Sequence, residues 1–158
     1  ARKIARAVVM ARTKYQISTT FQLAEIITEV MCARGHQHGG KQHPATRTFQ
    51  AIRIHLNQEL KELSLVLPQC VELLNPKGRL VVISFHSLED RIVKRFMRAK
   101  ANPERSLPRK VPFTTKEVQD LVHPEVVLIG DAIRPADVEI AVNSRARSAV
   151  MRVVEKLN

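Results

Sequence analysis

The sequence predicts an α/β fold, the closing portion of a doubly wound sheet preceded by a helical segment. Three observations predict it. The first half carries apolar residues at helical spacing. A short, wholly apolar and β-branched run, Leu80-Val81-Val82-Ile83, then suits a strand buried on both faces, as in a parallel sheet covered by helices. A helix and two further strand candidates follow, too few strands for a complete sheet.

In order, residues 1–12 read as a helix with Ile4, Val8 and Val9 on one side and a basic remainder. A second helix starts near Thr20, since Leu23, Ile26, Ile27, Val30 and Met31 follow the spacing of one buried face, and Gly35 supplies its stop. A third starts around Pro44 and carries a stripe from Phe49 through Leu67, where Pro68 is expected to interrupt it before a shorter stretch to Leu74. Asn75-Pro76-Lys77-Gly78 is a turn into the first strand. Ser87 to Asp90 spells a capping box, so a helix begins there, with Ile92, Val93, Phe96 and Met97 as its apolar side. Pro103, Pro108 and Pro112 mark a basic linker, and Thr114 with Glu117 opens a short helix. Val126 to Ile129 is the second strand, Pro135 to Val142 a helical turn or two, and Ala149 to Val154 the last strand.

The chain has 158 residues, one ordinary domain, and 44% hydrophobic residues are enough for a core. Aromatics are 4% with no Trp, so Leu, Ile and Val must build that core. The formal net charge of +11 points to a polyanionic partner, nucleic acid before membrane, because no segment is long and apolar enough to span a bilayer. Cys32 and Cys70 read as reduced core residues without a disulfide framework, which fits a cytoplasmic location. The chain starts at Ala1 without Met and is already helical in pattern, which predicts missing upstream sequence.

Ser84-Phe85-His86-Ser87-Leu88-Glu89-Asp90-Arg91 is the most informative stretch. It follows a buried strand and opens a helix, and ligands of such sheets sit at the carboxyl ends of the strands. Phe85 suits stacking on a base, and His86 suits a base edge or phosphate. The helix N-terminus offers free N–H groups there. The plainer reading, that Ser87 and Asp90 only cap the helix, is compatible with a site. His43 and Arg47 open the third helix, where Arg47 and Lys41 suit phosphates, against a plain solvated helix start. His36, His38 and His43 near Cys32 match no common zinc spacing, so no metal is expected. Between Arg91 and Lys110 stand eight basic residues and one acid, either an RNA-tracking surface or a helix face with a linker. Asn143, Arg145 and Arg147, in Asn-Ser-Arg-Ala-Arg-Ser, suit phosphate or base contacts, or else tie their loop to the sheet. No glycine-rich turn follows a strand and no acid is placed for a ribose.

Three blocks, residues 43–53 (His-Pro-Ala-Thr-Arg-Thr-Phe-Gln-Ala-Ile-Arg), 78–94 and 143–149, together resemble one family across essentially the whole chain. It is the small-subunit (16S) ribosomal-RNA cytosine-N4 methyltransferases of bacteria, the MraW or RsmH family. The resemblance implies a Rossmann-like domain that uses S-adenosylmethionine, a helical insertion domain, and a 16S rRNA cytosine as acceptor. It implies that residues 1–42 belong to the insertion and 43–158 to the C-terminal part of the methyltransferase domain. The family's donor-binding motifs lie in the N-terminal half and none is in this chain, so the fragment alone is expected to be inactive. Lys77 and Ser144 depart from the family's usual Gly and Pro.

The resulting expectation is a C-terminal fragment of an rRNA (cytosine-N4)-methyltransferase, with a non-catalytic RNA-binding module as the alternative. Phe85 and His86 help form the cytidine pocket, with Ser87 a further RNA-binding candidate beside them. Arg47, Arg91, Arg145 and Arg147 hold RNA backbone, and His43 and Asn143 stand beside them. The expected partner is 16S rRNA or the small ribosomal subunit. The strand at 79–84 is left with an open edge, which predicts a dimer, a swapped assembly or another partner covering it.

Overall fold

The computed structural model describes residues 1–33, 43–106 and 123–158. His36 and His38, Lys41, the Gly35 stop, the prolines at 108 and 112 and the helix at Thr114 lie outside the described residues. The chain divides into two compact units, Ala1–Glu59 and Leu60–Asn158.

The first unit is helical. α1 (Arg2–Arg12) packs against α2 (Thr20–Cys32). Thr19 caps α2 by accepting from the Gln22 N–H at 3.2 Å, and the Gln22 side chain accepts from the Thr19 N–H at 3.2 Å, a reciprocal box that satisfies two orphan donors. Ile26 and Ile27 are its buried pair. Cys32, expected in a core, is instead exposed, because it closes α2 beyond that pair. Cys70 is half-buried.

The long third helix expected from Pro44 to Leu67 is two helices. α3 (Thr46–Asn57) ends at Gln58, whose φ of 53° is left-handed, and α4 (Glu59–Leu73) starts after it. The Glu59 carboxylate accepts from Arg53 Nε at 2.8 Å, Arg53 Nη2 at 3.1 Å and Asn57 Nδ2 at 3.2 Å, which fastens the break. Pro68, expected to interrupt, sits inside α4 instead. A helix-interior proline costs about 3 kcal/mol. Leu67 and Val71 are both 2% exposed, and burying two such side chains contributes about 3–6 kcal/mol. The helix therefore continues through the proline.

The second unit is a three-stranded sheet with helices. β1 (Arg79–Ser84), β2 (Val126–Leu128) and β3 (Val150–Lys156) lie in the order β1-β3-β2. Both pairings are antiparallel, with Leu80 opposite Val154, Val82 opposite Arg152 and Ser84 opposite Val150. This corrects the expectation of a parallel strand buried on both faces. Side chains at Val81 and Ile83 are 50% and 54% exposed, while Ser84 is buried. An apolar run reports the burial a strand is suited to, not the direction of its neighbour. On the covered face α5 (Ser87–Ala101) brings Val93 and Met97 onto Val126 and Val154, joined by Leu67 and Val71 of α4.

Two details fix the start of β1. Gly78 N–H donates to the Asn75 carbonyl at 2.8 Å, and a Cβ on Gly78 would stand 2.8 Å from that oxygen. Lys156 Nζ donates to the carbonyls of Glu72 and Leu74 at 3.1 and 2.8 Å, closing the end of α4 with a cation where the helix dipole is negative. No described helix is long and apolar enough to cross a membrane.

Candidate functional site

The antiparallel register brings the carboxyl end of β1 beside the amino end of β3. The Phe85-His86-Ser87 junction therefore shares one end of the sheet with the 3-10 turn Ser144–Ser148, which leads into β3. A short bridge between Ile133 and Met151 brings the segment carrying Arg134 to the same end.

The junction is built by α5 itself. The capping box falls one residue earlier than the sequence suggests. His86, in extended backbone, is the N-cap, and its Nδ1 accepts from the Glu89 N–H at 3.3 Å. Glu89 Oε2 accepts in return from the N–H groups of Phe85 and His86, at 3.0 and 3.3 Å. Ser87 is the first helical residue and is exposed. Because Nδ1 accepts, the neutral imidazole carries its proton on Nε2. That atom lies 3.3 Å from Glu89 Oε1 but outside hydrogen-bond geometry, and has no partner among the described residues. With His86 held and Ser84 buried, Phe85 projects with 56% of its surface exposed.

Asp90 does not cap the helix. Arg152 Nε donates to its Oδ1 at 2.7 Å and Nη2 to its Oδ2 at 3.1 Å, a two-pronged clamp between β3 and α5. The hydrogen bond from Arg152 holds the Asp90 carboxyl below its ordinary range. The charges of Arg152, Lys94 and Arg134 act in the same direction, and partial burial opposes them. Glu89, Arg134 and Arg152 were not expected as parts of this end. Only the register of β3 reveals the last two.

On the opposite strand, Asn143 Oδ1 accepts from the Arg145 N–H at 3.1 Å, so Asn143 caps its own turn. Buried Ala146 anchors that turn, and Arg145 and Arg147 on either side are exposed and make no ion pair among the described residues. Arg91 on α5 is likewise exposed and unpaired among them. His43 and Arg47 belong to the first unit. His43 Nδ1 accepts from the Ala45 N–H at 3.2 Å, shaping the turn into α3, and Arg47 is exposed in its first turn. The second unit thus brings together Phe85, His86, Ser87, Arg91, Asn143, Arg145 and Arg147 of the expected set. Its chemistry is one exposed ring, one oriented imidazole and several unpaired guanidinium groups.

The chain is 64% identical over 155 residues to a ribosomal RNA small subunit methyltransferase H of Nitrosomonas europaea, covering 98% of this chain and 48% of that protein. The corresponding protein of Nitrosomonas eutropha is 60% identical over 155 residues, with the same coverage. That of an Azoarcus species is 55% identical over 153 residues, covering 97% and 46%. The chain spans about half the length of the curated relatives it matches. Residues 1–157 match the MraW methylase family, and the chain belongs to that family.

Proposed function

We propose that this chain is the C-terminal, substrate-side part of an S-adenosylmethionine-dependent methyltransferase acting on the N4 amine of a cytidine in 16S rRNA. In this reading its three strands close a Rossmann-like sheet, and α1 and α2 belong to a helical insertion. The observation that carries it is Phe85, an exposed ring held by a capped junction at the carboxyl end of β1, with Arg145 and Arg147 at the same sheet end.

A cytosine amine is a poor nucleophile because its lone pair is delocalised into the ring. Catalysis then consists mostly of holding an exposed base in line and keeping water away. The base must be unstacked, and an aromatic ring provides a new stacking face. Phe85 supplies that face. His86, its Nε2 buried beside Glu89, holds the junction that presents the ring. The guanidinium groups of Arg91, Arg145 and Arg147 hold phosphates. When bound, S-adenosylmethionine supplies an electrophilic methyl group. The described residues of this sheet end do not offer the glycine turn and ribose-binding acid that fit that donor, so its pocket is assigned to the length of the relatives that this chain does not span.

The test uses a protein of the relatives' full length carrying these 158 residues, incubated with small ribosomal subunits and S-adenosylmethionine. Digested 16S rRNA is then read by mass spectrometry. N4-methylcytidine is expected, and it should fall sharply with His86→Ala or Phe85→Ala. Methylation of another base, or none, overturns the reading. The second reading, an RNA-binding module without chemistry, is favoured by the unpaired cations. It predicts RNA binding with no methyl transfer in the same assay.

A further inference from the structure

We infer that a basic flank of α5 is a track for the sugar–phosphate backbone of RNA, running on from the base-binding end of the sheet. Arg91, Lys94, Arg95 and Arg98 stand at spacings of three and four, which puts them on one continuous face over two turns. None of the four makes an ion pair among the described residues.

That lack of partners is selective. Elsewhere in this unit Arg79 pairs with Glu155, Lys100 with Glu125 and Arg152 with Asp90. The helix's own two acids are both committed. Glu89 accepts from backbone N–H groups at the cap, and Asp90 is clamped by Arg152. Four like charges at helical neighbour spacing repel one another and weaken the helix that carries them. A merely solvated face would do better with alternating signs. A polyanion laid along the stripe removes the repulsion and releases its counterions. The stripe continues into a small pocket between α5 and β2, of about 50 Å³, where Lys94 and Arg98 face Arg152 and the backbone of Gly130, with Asp131 as its one acid. Repeated cations over two turns match a repeated phosphate charge better than a single small anion. The inference rests on the rRNA reading above for the identity of the polyanion.

The test measures binding of fluorescein-labelled single-stranded oligouridylate to this chain at several salt concentrations. The comparison is between wild type and the joint variant Arg91→Gln, Lys94→Gln, Arg95→Gln, Arg98→Gln. Each phosphate contact contributes about 0.7 to the slope of log affinity against log salt. The variant's slope should therefore be shallower by up to about 3, with its melting temperature unchanged or raised. A control removes equal charge from α1, with Arg2, Lys3, Arg6 and Arg12 all changed to Gln, and should move the slope less. Arg91→Lys with Arg95→Lys and Arg98→Lys should keep the wild-type slope, since charge rather than fork geometry is counted. An unchanged slope in the Gln variant, or an equal loss in the α1 control, overturns the track. The rRNA reading survives either result, because it is judged by the methylated base. Equal binding of polyglutamate assigns the stripe to an acidic protein and overturns the RNA track.

Discussion

Arg152, in the middle of β3, grips Asp90, in the first turn of α5, through both carboxylate oxygens, although the two residues are 62 positions apart in the chain. Both side chains are about four-fifths buried. The pair fixes where α5 begins relative to the sheet, and so where Phe85 and His86 stand. Arg152→Met should cost about 1.5–3 kcal/mol, the range of hydrogen bonds to charged groups, because it leaves a largely buried carboxylate without its donors. Urea denaturation of the two chains checks this.

The same pair carries a pH dependence. The folded Asp90 carboxyl is held below its ordinary range, chiefly by the Arg152 hydrogen bond. Unfolded Asp titrates at about pH 3.9. A depressed folded value contributes stability that is fully present above about pH 4 and is lost as pH falls through the folded pKa. Asp90→Asn should lower stability at neutral pH and flatten the acid limb below about pH 4. Denaturation profiles of wild type and variant that stay parallel through that limb would remove Asp90 from the acid response.

His86 and Glu89 make a prediction that separates folding from function. Loss of an N-cap costs about 1 kcal/mol. His86→Ala should show that loss, and His86→Asn should restore it, because Asn is a strong N-cap that still accepts from the Glu89 N–H. If the imidazole also serves the base, His86→Asn melts like wild type while rRNA methylation by the full-length enzyme stays low. Methylation that returns with stability would reduce His86 to a cap.

How far this site was legible in the sequence depends on what each residue answers to. β1 and α5 announce themselves, one by an unbroken β-branched run and the other by a cap followed by apolar residues at helical spacing. The cap was read one residue late because Ser is the usual N-cap and His is not, yet His86 and Glu89 satisfy the same two donors. The break at Gln58 carries no Gly or Pro signal, since its left-handed backbone is fastened by Glu59, a feature of side-chain geometry. The antiparallel pairing of β1 with β3 left no mark on the apolar pattern. Without that register Arg152 and Asp90 could not be matched, nor could Arg134 be brought near them. Phe85 was found because it stands at the carboxyl end of a strand, where ligands of such sheets sit.

The turn before β1 stores strain that a single change should release. Lys77 has a φ of 64°, a left-handed value that costs a non-glycine residue about 1–2 kcal/mol. Its N–H still donates to the Lys156 carbonyl at 2.9 Å, a bond glycine keeps. Lys77→Gly should therefore raise stability by roughly 0.5–1 kcal/mol after glycine's extra unfolded-state entropy is counted. Gly78→Ala next door should do the reverse, because its Cβ would press on the Asn75 carbonyl oxygen, 2.8 Å away. Thermal melts of the two variants should move in opposite directions, and a shift of both in one direction would discard this account of the turn.

Phe85 provides the sharpest separation between a packing residue and a base platform. It leaves 56% of its surface to solvent, so truncation to Ala removes only part of a ring's burial and should cost no more than about 2 kcal/mol of stability. If the ring stacks on an unstacked base, that contact is worth about 1–3 kcal/mol. Phe85→Ala should then weaken RNA binding by roughly 5- to 150-fold, while Phe85→Trp keeps it. An oligonucleotide with 2-aminopurine at the target position reports stacking directly, through quenching that disappears in the Ala variant and persists in the Trp variant. A Phe85→Ala chain that melts several degrees lower and binds the probe as tightly as wild type would assign the ring to the fold instead, and with it would go the argument that this end of the sheet receives a base.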